Sequence, residues 1–121
     1  MKKAYRVKTE ADFQKVFHQG QSMANRQFVV YNLTKEGQAH FRVGISVGKK
    51  LGNAVVRNAI KRKIRHCLIE FDQNDLIRHD VDFIVIARPP VSHMDYHEIR
   101  KSLLHVFDRA AILRSNEQRV D

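Results

Sequence analysis

The chain lacks acidic residues over a long central stretch. From residue 37 to residue 69, between Glu36 and Glu70, there is no carboxylate. Arg42, Lys49, Lys50, Arg57, Lys61, Arg62, Lys63 and Arg65 all lie in that window, whereas acids and bases mix elsewhere. The formal charge is +9 over 121 residues. A generally basic protein has no need of such a gap, but a basic face does. The partner such a face selects is anionic: nucleic acid first, a membrane surface second. Cysteine is nearly absent too. Cys67 stands alone, which excludes an intrachain disulfide and points to a reducing compartment. No apolar run approaches the roughly 18 residues of a membrane-spanning helix. The basic N-terminus, "MKKAYRVKTEADF", has no apolar signal core, so a cytoplasmic protein is expected.

What is present fits a folded chain. A hydrophobic content of 43% is that of a globular protein. The length suits one domain, residues 1–121, with a core of its own. Residues 1–8 read as a basic lead-in. "TEADFQKVFHQG" follows as a short helix, with Thr9 and Asp12 as a capping pair and Gly20 as its stop. Phe13, Val16 and Phe17 share one of its faces.

"RQFVVYNL" (26–33) reads as a strand, and "HFRVGISVG" (40–48) as a second one, half-buried. These two are expected to form an antiparallel hairpin across "TKEGQ". Asn53 is placed to cap a long helix, "AVVRNAIKRKIRHCLIEF". Residues 72–79 read as a polar turn. "DVDFIVIAR" (80–88) reads as a central strand that Pro89 and Pro90 end. A last helix is expected from Asp95 to Leu113, burying Ile99, Leu103, Val106, Phe107 and Ala110. Residues 114–121 are expected to fray. The plan is α-β-β-α-β-α, an α+β two-layer sandwich.

On a helical wheel at about 100° per residue, Val56, Ile60, Ile64, Cys67, Leu68 and Phe71 occupy an arc of roughly 120°. That arc is the expected core face. Arg57, Asn58, Lys61, Arg62 and Arg65 take the neighbouring arc, and Arg57, Lys61 and Arg65 form one i, i+4, i+8 row. Like charges in a row cost the helix a few tenths of a kcal/mol per pair. A phosphate backbone offsets that cost, and guanidinium forks grip phosphate in a bidentate way. Asn58 adds a hydrogen bond to a base edge, sugar or phosphate. A merely solvated face is the bland alternative, and geometry by itself stops at nucleic-acid binding without naming the ligand.

The motifs go further. "GISVGKKLGNAVVRNAIKRKIRH" resembles the signature of the bacterial ribonuclease P protein subunit, in which lysines after a strand lead through Gly-Asn-Ala-Val into an arginine-rich helix. "DFQKVF", "ANRQFVVY" and "IVIARPP" resemble further family segments in the family's order. One departure stands out. Ala59 occupies a position where the family often carries a second basic residue, and Lys63 is an extra cation. The resemblance implies a ribosomal-protein-like fold with a left-handed βαβ crossover, against the general right-handed rule. It implies a protein without catalytic residues that binds the catalytic ribonuclease P RNA and the 5′ leader of precursor tRNA. It implies Mg²⁺ held mainly by the RNA, and no protein partner required. It assigns Lys49, Lys50, Asn53, Arg57, Asn58, Lys61, Arg62 and Arg65 to the RNA-subunit surface, and Phe13, Phe17, Tyr31 and Arg88 to a leader-binding cleft. Such a cleft makes physical sense, because aromatic faces stack single-stranded bases with little sequence preference. Plain core packing remains open for Phe13 and Phe17. A ribosomal-type RNA-binding protein with no role in cleavage is the rival function.

Three further patterns carry less. His93 and His97 are spaced for zinc on a helix but lack companion ligands. Cys67 falls in the apolar arc and reads as a buried structural thiol. Asp80 and Asp82 alternate on a strand and face the same way, as a metal-dependent nuclease pair would, but too few acids converge there.

Overall fold

The computed structural model describes residues 3–114. Its elements are α1 (Glu10–Gln19), β1 (Gln21–Ala24), β2 (Phe28–Thr34), β3 (Arg42–Val47), α2 (Ala54–Gln73), β4 (Val81–Ala87) and α3 (Tyr96–Arg109). Short 3₁₀ turns lie at Lys3–Tyr5, Lys49–Leu51 and Pro89–His93. The order is therefore α-β-β-β-α-β-α. The extra strand, β1, has a polar sequence with every residue exposed, so no apolar alternation marks it.

The sheet order is β1-β2-β4-β3. The expected hairpin between the two early strands does not form. Strand β2 pairs antiparallel with β1 on one side and with β4 on the other. Strand β3 lies parallel to β4, and α2 makes the crossover between them. The physical reason lies in β4. Its residues are buried on both faces apart from half-buried Ile86, so it takes the centre and holds β2 and β3 apart.

On one face of the sheet, α2 and α3 bury the main core. Phe28, Val30, Val43, Val47, Val81, Phe83, Val85 and Ala87 meet Ile60, Ile64, Cys67, Leu68 and Phe71 of α2 and Ile99, Leu103, Val106 and Phe107 of α3. Phe83 and Phe107 pack edge to face with ring centroids 5.4 Å apart. The caps at Thr9 and Asn53 are those the sequence marks: their side chains accept hydrogen bonds from the Asp12 and Val56 backbone N–H groups. At the start of α3, Asp95 with Glu98 adds a capping box that the sequence reading did not name.

Four local readings change. Val56 is exposed rather than core, lying at the first turn of α2 beside Gly52. The polar stretch 72–79 contains buried Ile77, which bridges Leu113. Helix α3 stops at Arg109, four residues short of Leu113, since Ala111 takes φ 58 and turns the chain back. Arg114 is anchored, donating its N–H to the Leu76 carbonyl and pairing with Asp75; residues 115–121 lie outside the described residues. The lead-in is also fixed in part: the Val7 N–H donates to the Val43 carbonyl at 3.1 Å, and Val7 is buried.

Helix α1 lies on the opposite face of the sheet and covers one end of it. Arg42 holds it there. Its Nε donates to Asp82 at 3.0 Å, and its guanidinium reaches Asp12 of α1 at 3.6 Å. The hydrogen bond to buried Asp82 holds the Arg42 guanidinium above its already high pKa. Phe13 sits directly on Gly44, where an added Cβ would lie 2.6 Å from its ring. Gly44→Ala should therefore lower the unfolding free energy by about 1–3 kcal/mol, as overpacking does. Urea unfolding measures this, and Phe13→Ala added to Gly44→Ala should recover part of the loss.

Candidate nucleic-acid interface

Burying Ile60, Ile64, Cys67, Leu68 and Phe71 fixes the rotation of α2, and with it the direction of every cation. Arg57, Lys61 and Arg65 flank the buried stripe and are half-buried along their stems; Asn58 and Arg62 are exposed. Lys49 and Lys50 are exposed in the 3₁₀ turn that leads into the helix. Gly52 has φ 143, a conformation L side chains rarely adopt, and lets that turn run straight into the Asn53 cap. Asn53 uses its side-chain oxygen as the helix cap, which leaves its amide N–H groups to donate to a ligand. Ala59 is half-buried.

Among the described residues, ion pairs join Arg42 to Asp82 and Asp12, Arg78 to Asp80, His79 to Asp75, Arg100 to Glu70 and Arg114 to Asp75. None involves Lys49, Lys50, Arg57, Lys61, Arg62, Lys63 or Arg65. The Nε of Arg57 is moreover buried and has no hydrogen-bond partner. A donor in that state costs free energy until an acceptor arrives.

The aromatic residues meet on the other face of the sheet. Phe17 and Tyr31 pack edge to face, with centroids 4.9 Å apart and planes at 76°. Both, like Phe13, are half-buried. Strand register places three cross-strand rows on this face: Leu33–Asp82–Arg42, Tyr31–Ile84–Gly44 and Val29–Ile86–Ser46. Helix α1 covers the first two, where Asp82 and Ile84 are buried. It leaves the third open: Val29 and Ile86 are half-buried and Ser46 is exposed. Arg88 lies beyond, exposed at the end of β4, its guanidinium donating to the Asn25 carbonyl at 3.1 Å. The predicted cleft residues therefore share one face, with an apolar floor between the aromatic rings and the arginine. Val29, Ile86 and Ser46 escaped sequence reasoning. The alternation of β2 pointed to Val29, but β4 is apolar at almost every position and hides which of its residues face outward.

The acidic pair at the start of β4, Asp80 just before the strand and Asp82 within it, is engaged by arginines. Asp82 is buried against Arg42, and Asp80 accepts from the Arg78 Nε at 3.1 Å, a bond that lowers its pKa. Among the described residues, no group of three or more His, Cys, Asp and Glu converges in a way that could hold a metal ion. No helix among them is long and apolar enough to cross a membrane. Burial pushes the Cys67 thiol up to about 11. At pH 8 that lowers its thiolate fraction about 100-fold, so Cys67 should react with Ellman's reagent only once the chain unfolds. Stopped-flow mixing with and without denaturant measures the difference.

Comparison with known proteins follows the same lines. The family model described as Ribonuclease P matches residues 1–111. The ribonuclease P protein component of Ligilactobacillus salivarius is 58% identical over 93% of this chain and 98% of its own length. That of Enterococcus faecalis is 58% identical over 97% of this chain and 98% of its own. Among solved structures, the Staphylococcus aureus RNase P protein superposes with a TM-score of 0.82 at 48% identity, covering 93% of this chain and 100% of that one. The Thermotoga maritima RNase P protein gives 0.76 at 31% identity, covering 86% of this chain and 96% of that one.

Proposed function

The chain belongs to the ribonuclease P protein family, and from that premise we propose that it binds the catalytic RNA subunit through α2 and the 5′ leader of precursor tRNA through the face beneath α1. The carrying observation is the set of cations on and before α2 that has no acidic partner among the described residues, while Arg42, Arg78, Arg100 and Arg114 are each paired with a carboxylate. Phosphates supply the missing counter-charges. Lys49, Lys50, Asn53, Arg57, Asn58, Lys61, Arg62 and Arg65 form the RNA-subunit surface. Phe13, Phe17, Tyr31 and Arg88 form the leader cleft, with Val29 and Ile86 as its floor.

The division of labour follows from the side chains. Aromatic rings and an apolar floor accept any base by stacking and contact, so leaders of many sequences fit. The carboxylates near the cleft are held by arginines, so no catalytic group is assigned to the protein. Mg²⁺ and the cleavage step belong with the RNA, in the cytoplasm, and no further protein partner is required. The protein supplies positioning and charge neutralisation, which lowers the Mg²⁺ demand of the assembled enzyme.

The test is reconstitution with a bacterial ribonuclease P RNA and labelled precursor tRNA at low Mg²⁺. Cleavage at the mature 5′ end should need both components. Cleavage without any stimulation by the protein would leave only a binding protein of ribosomal type. Arg57→Ala should weaken assembly with the RNA and reduce the log–log salt slope by about one unit. An unchanged slope would remove Arg57 from the interface. Tyr31→Ala should cost about 1–3 kcal/mol in precursor affinity and nothing in mature-tRNA affinity. Equal losses for both would place the cleft elsewhere.

A further inference from the structure

A small pocket joins the two surfaces. It has a volume of about 170 Å³ and is lined by Arg6, Val7, Phe13, Val43, Gly44, Ile45 and Arg65. Its walls come from four parts of the chain: the N-terminal segment, α1, edge strand β3 and α2. Sequence reasoning had no access to it, because Arg6 lies in the stretch that reads only as a basic lead-in.

That stretch is held in place. The Tyr5 ring stacks on His40 with centroids 3.9 Å apart and planes at 13°, and it meets Phe41 edge to face at 5.2 Å. Arg6 forms a parallel bridge with Val43, and buried Val7 completes the anchor. The Arg6 side chain itself is exposed. Neither Arg6 nor Arg65 has an ion-pair partner among the described residues. Two unpaired guanidiniums thus line one cavity with a phenyl ring. The Val43 carbonyl accepts from the Val7 N–H at the sheet edge. Alternation along β3 therefore turns the Ile45 amide outward to the same edge, just beyond the anchored segment.

The volume sets the size of the occupant. It equals about six water molecules at roughly 30 Å³ each, and lies below the roughly 300 Å³ at which drug-sized sites begin. One planar ring or one phosphate is of that order. We propose that this pocket is a phosphate subsite, in which Arg6 and Arg65 hold one phosphate of the precursor leader while the adjoining base rests outside it against Phe13. Arg65 ends the α2 row and Phe13 belongs to the aromatic cleft, so this pocket lies where the two surfaces adjoin. Arg6 is a binding residue of the leader path, and this assignment rests on the leader-binding reading above.

The experiment uses the holoenzyme reconstituted with a bacterial ribonuclease P RNA. Precursor tRNAs carry leaders in which one phosphate at a time is replaced by a neutral methylphosphonate. Arg6→Ala should weaken precursor binding about 5- to 10-fold and leave mature tRNA and RNA-subunit assembly unchanged. One methylphosphonate position should weaken the wild type by a similar factor and have no further effect on Arg6→Ala. An abasic nucleotide next to that linkage should be likewise silent in Phe13→Ala, and Arg6→Lys should restore most of the binding. Additive losses at every linkage would overturn the proposal. So would a loss shared with mature tRNA. A loss of RNA-subunit assembly instead would show that a nucleotide of the catalytic RNA fills the pocket, and would overturn the leader assignment. Phe17→Ala and Tyr31→Ala separate this from the broader reading: if they keep a leader-specific loss while Arg6→Ala shows none, only the subsite falls.

Discussion

The burial of one stripe of α2 against the sheet holds the rest of this structure's chemistry in place. Ile60, Ile64, Cys67, Leu68 and Phe71 are all inside. Fully burying a large apolar side chain stabilises by about 1.5–3 kcal/mol. Repulsion along a row of like charges costs only a few tenths of a kcal/mol per neighbouring pair. Burial wins by a wide margin, so the helix forms and keeps its rotation although Arg57, Lys61 and Arg65 repel one another. The result is a row of cations whose direction the helix fixes and which has no acidic partner among the described residues. Had acids been interleaved among them, the helix would gain little stability and the surface would lose its field.

The other face of the sheet is arranged by a different compromise. Helix α1 is small and shields only part of that face, where the Arg42 hydrogen bonds and ion pairs to Asp82 and Asp12 and the Phe13–Gly44 contact hold it. The remainder, around Val29 and Ile86, stays open. Phe13 packs on Gly44 and Phe17 on Tyr31, and both rings remain only half-buried. Core packing and ligand stacking are not exclusive readings of a half-buried aromatic. The covered end supplies the rigidity that lets the uncovered end serve as a surface.

Much of this was legible in the residues. The caps at Thr9 and Asn53 were marked by local hydrogen-bonding chemistry, which reaches only three residues along the chain. The buried stripes of α2 and α3 followed from periodicity, apart from Val56, which is exposed. Strand pairing was not legible. The hairpin expected between the second and third strands rested on their adjacency in sequence, and β4 displaced it because a strand apolar on both faces gains most at the centre. Strand β1 had no apolar signal, since a short exposed edge strand needs none.

The basic, acid-free helix and its apolar stripe were determined by the sequence alone, because charge is additive along a chain and a helix converts spacing directly into direction. The family resemblance was likewise readable, because its motifs are contiguous. Which cations stay unpaired, which aromatics share a face, and where Arg6 meets Arg65 and Phe13 were decided only by the tertiary structure. Those facts depend on strand order and register, which arise from competition among segments far apart in the chain, and no local pattern records the outcome of that competition.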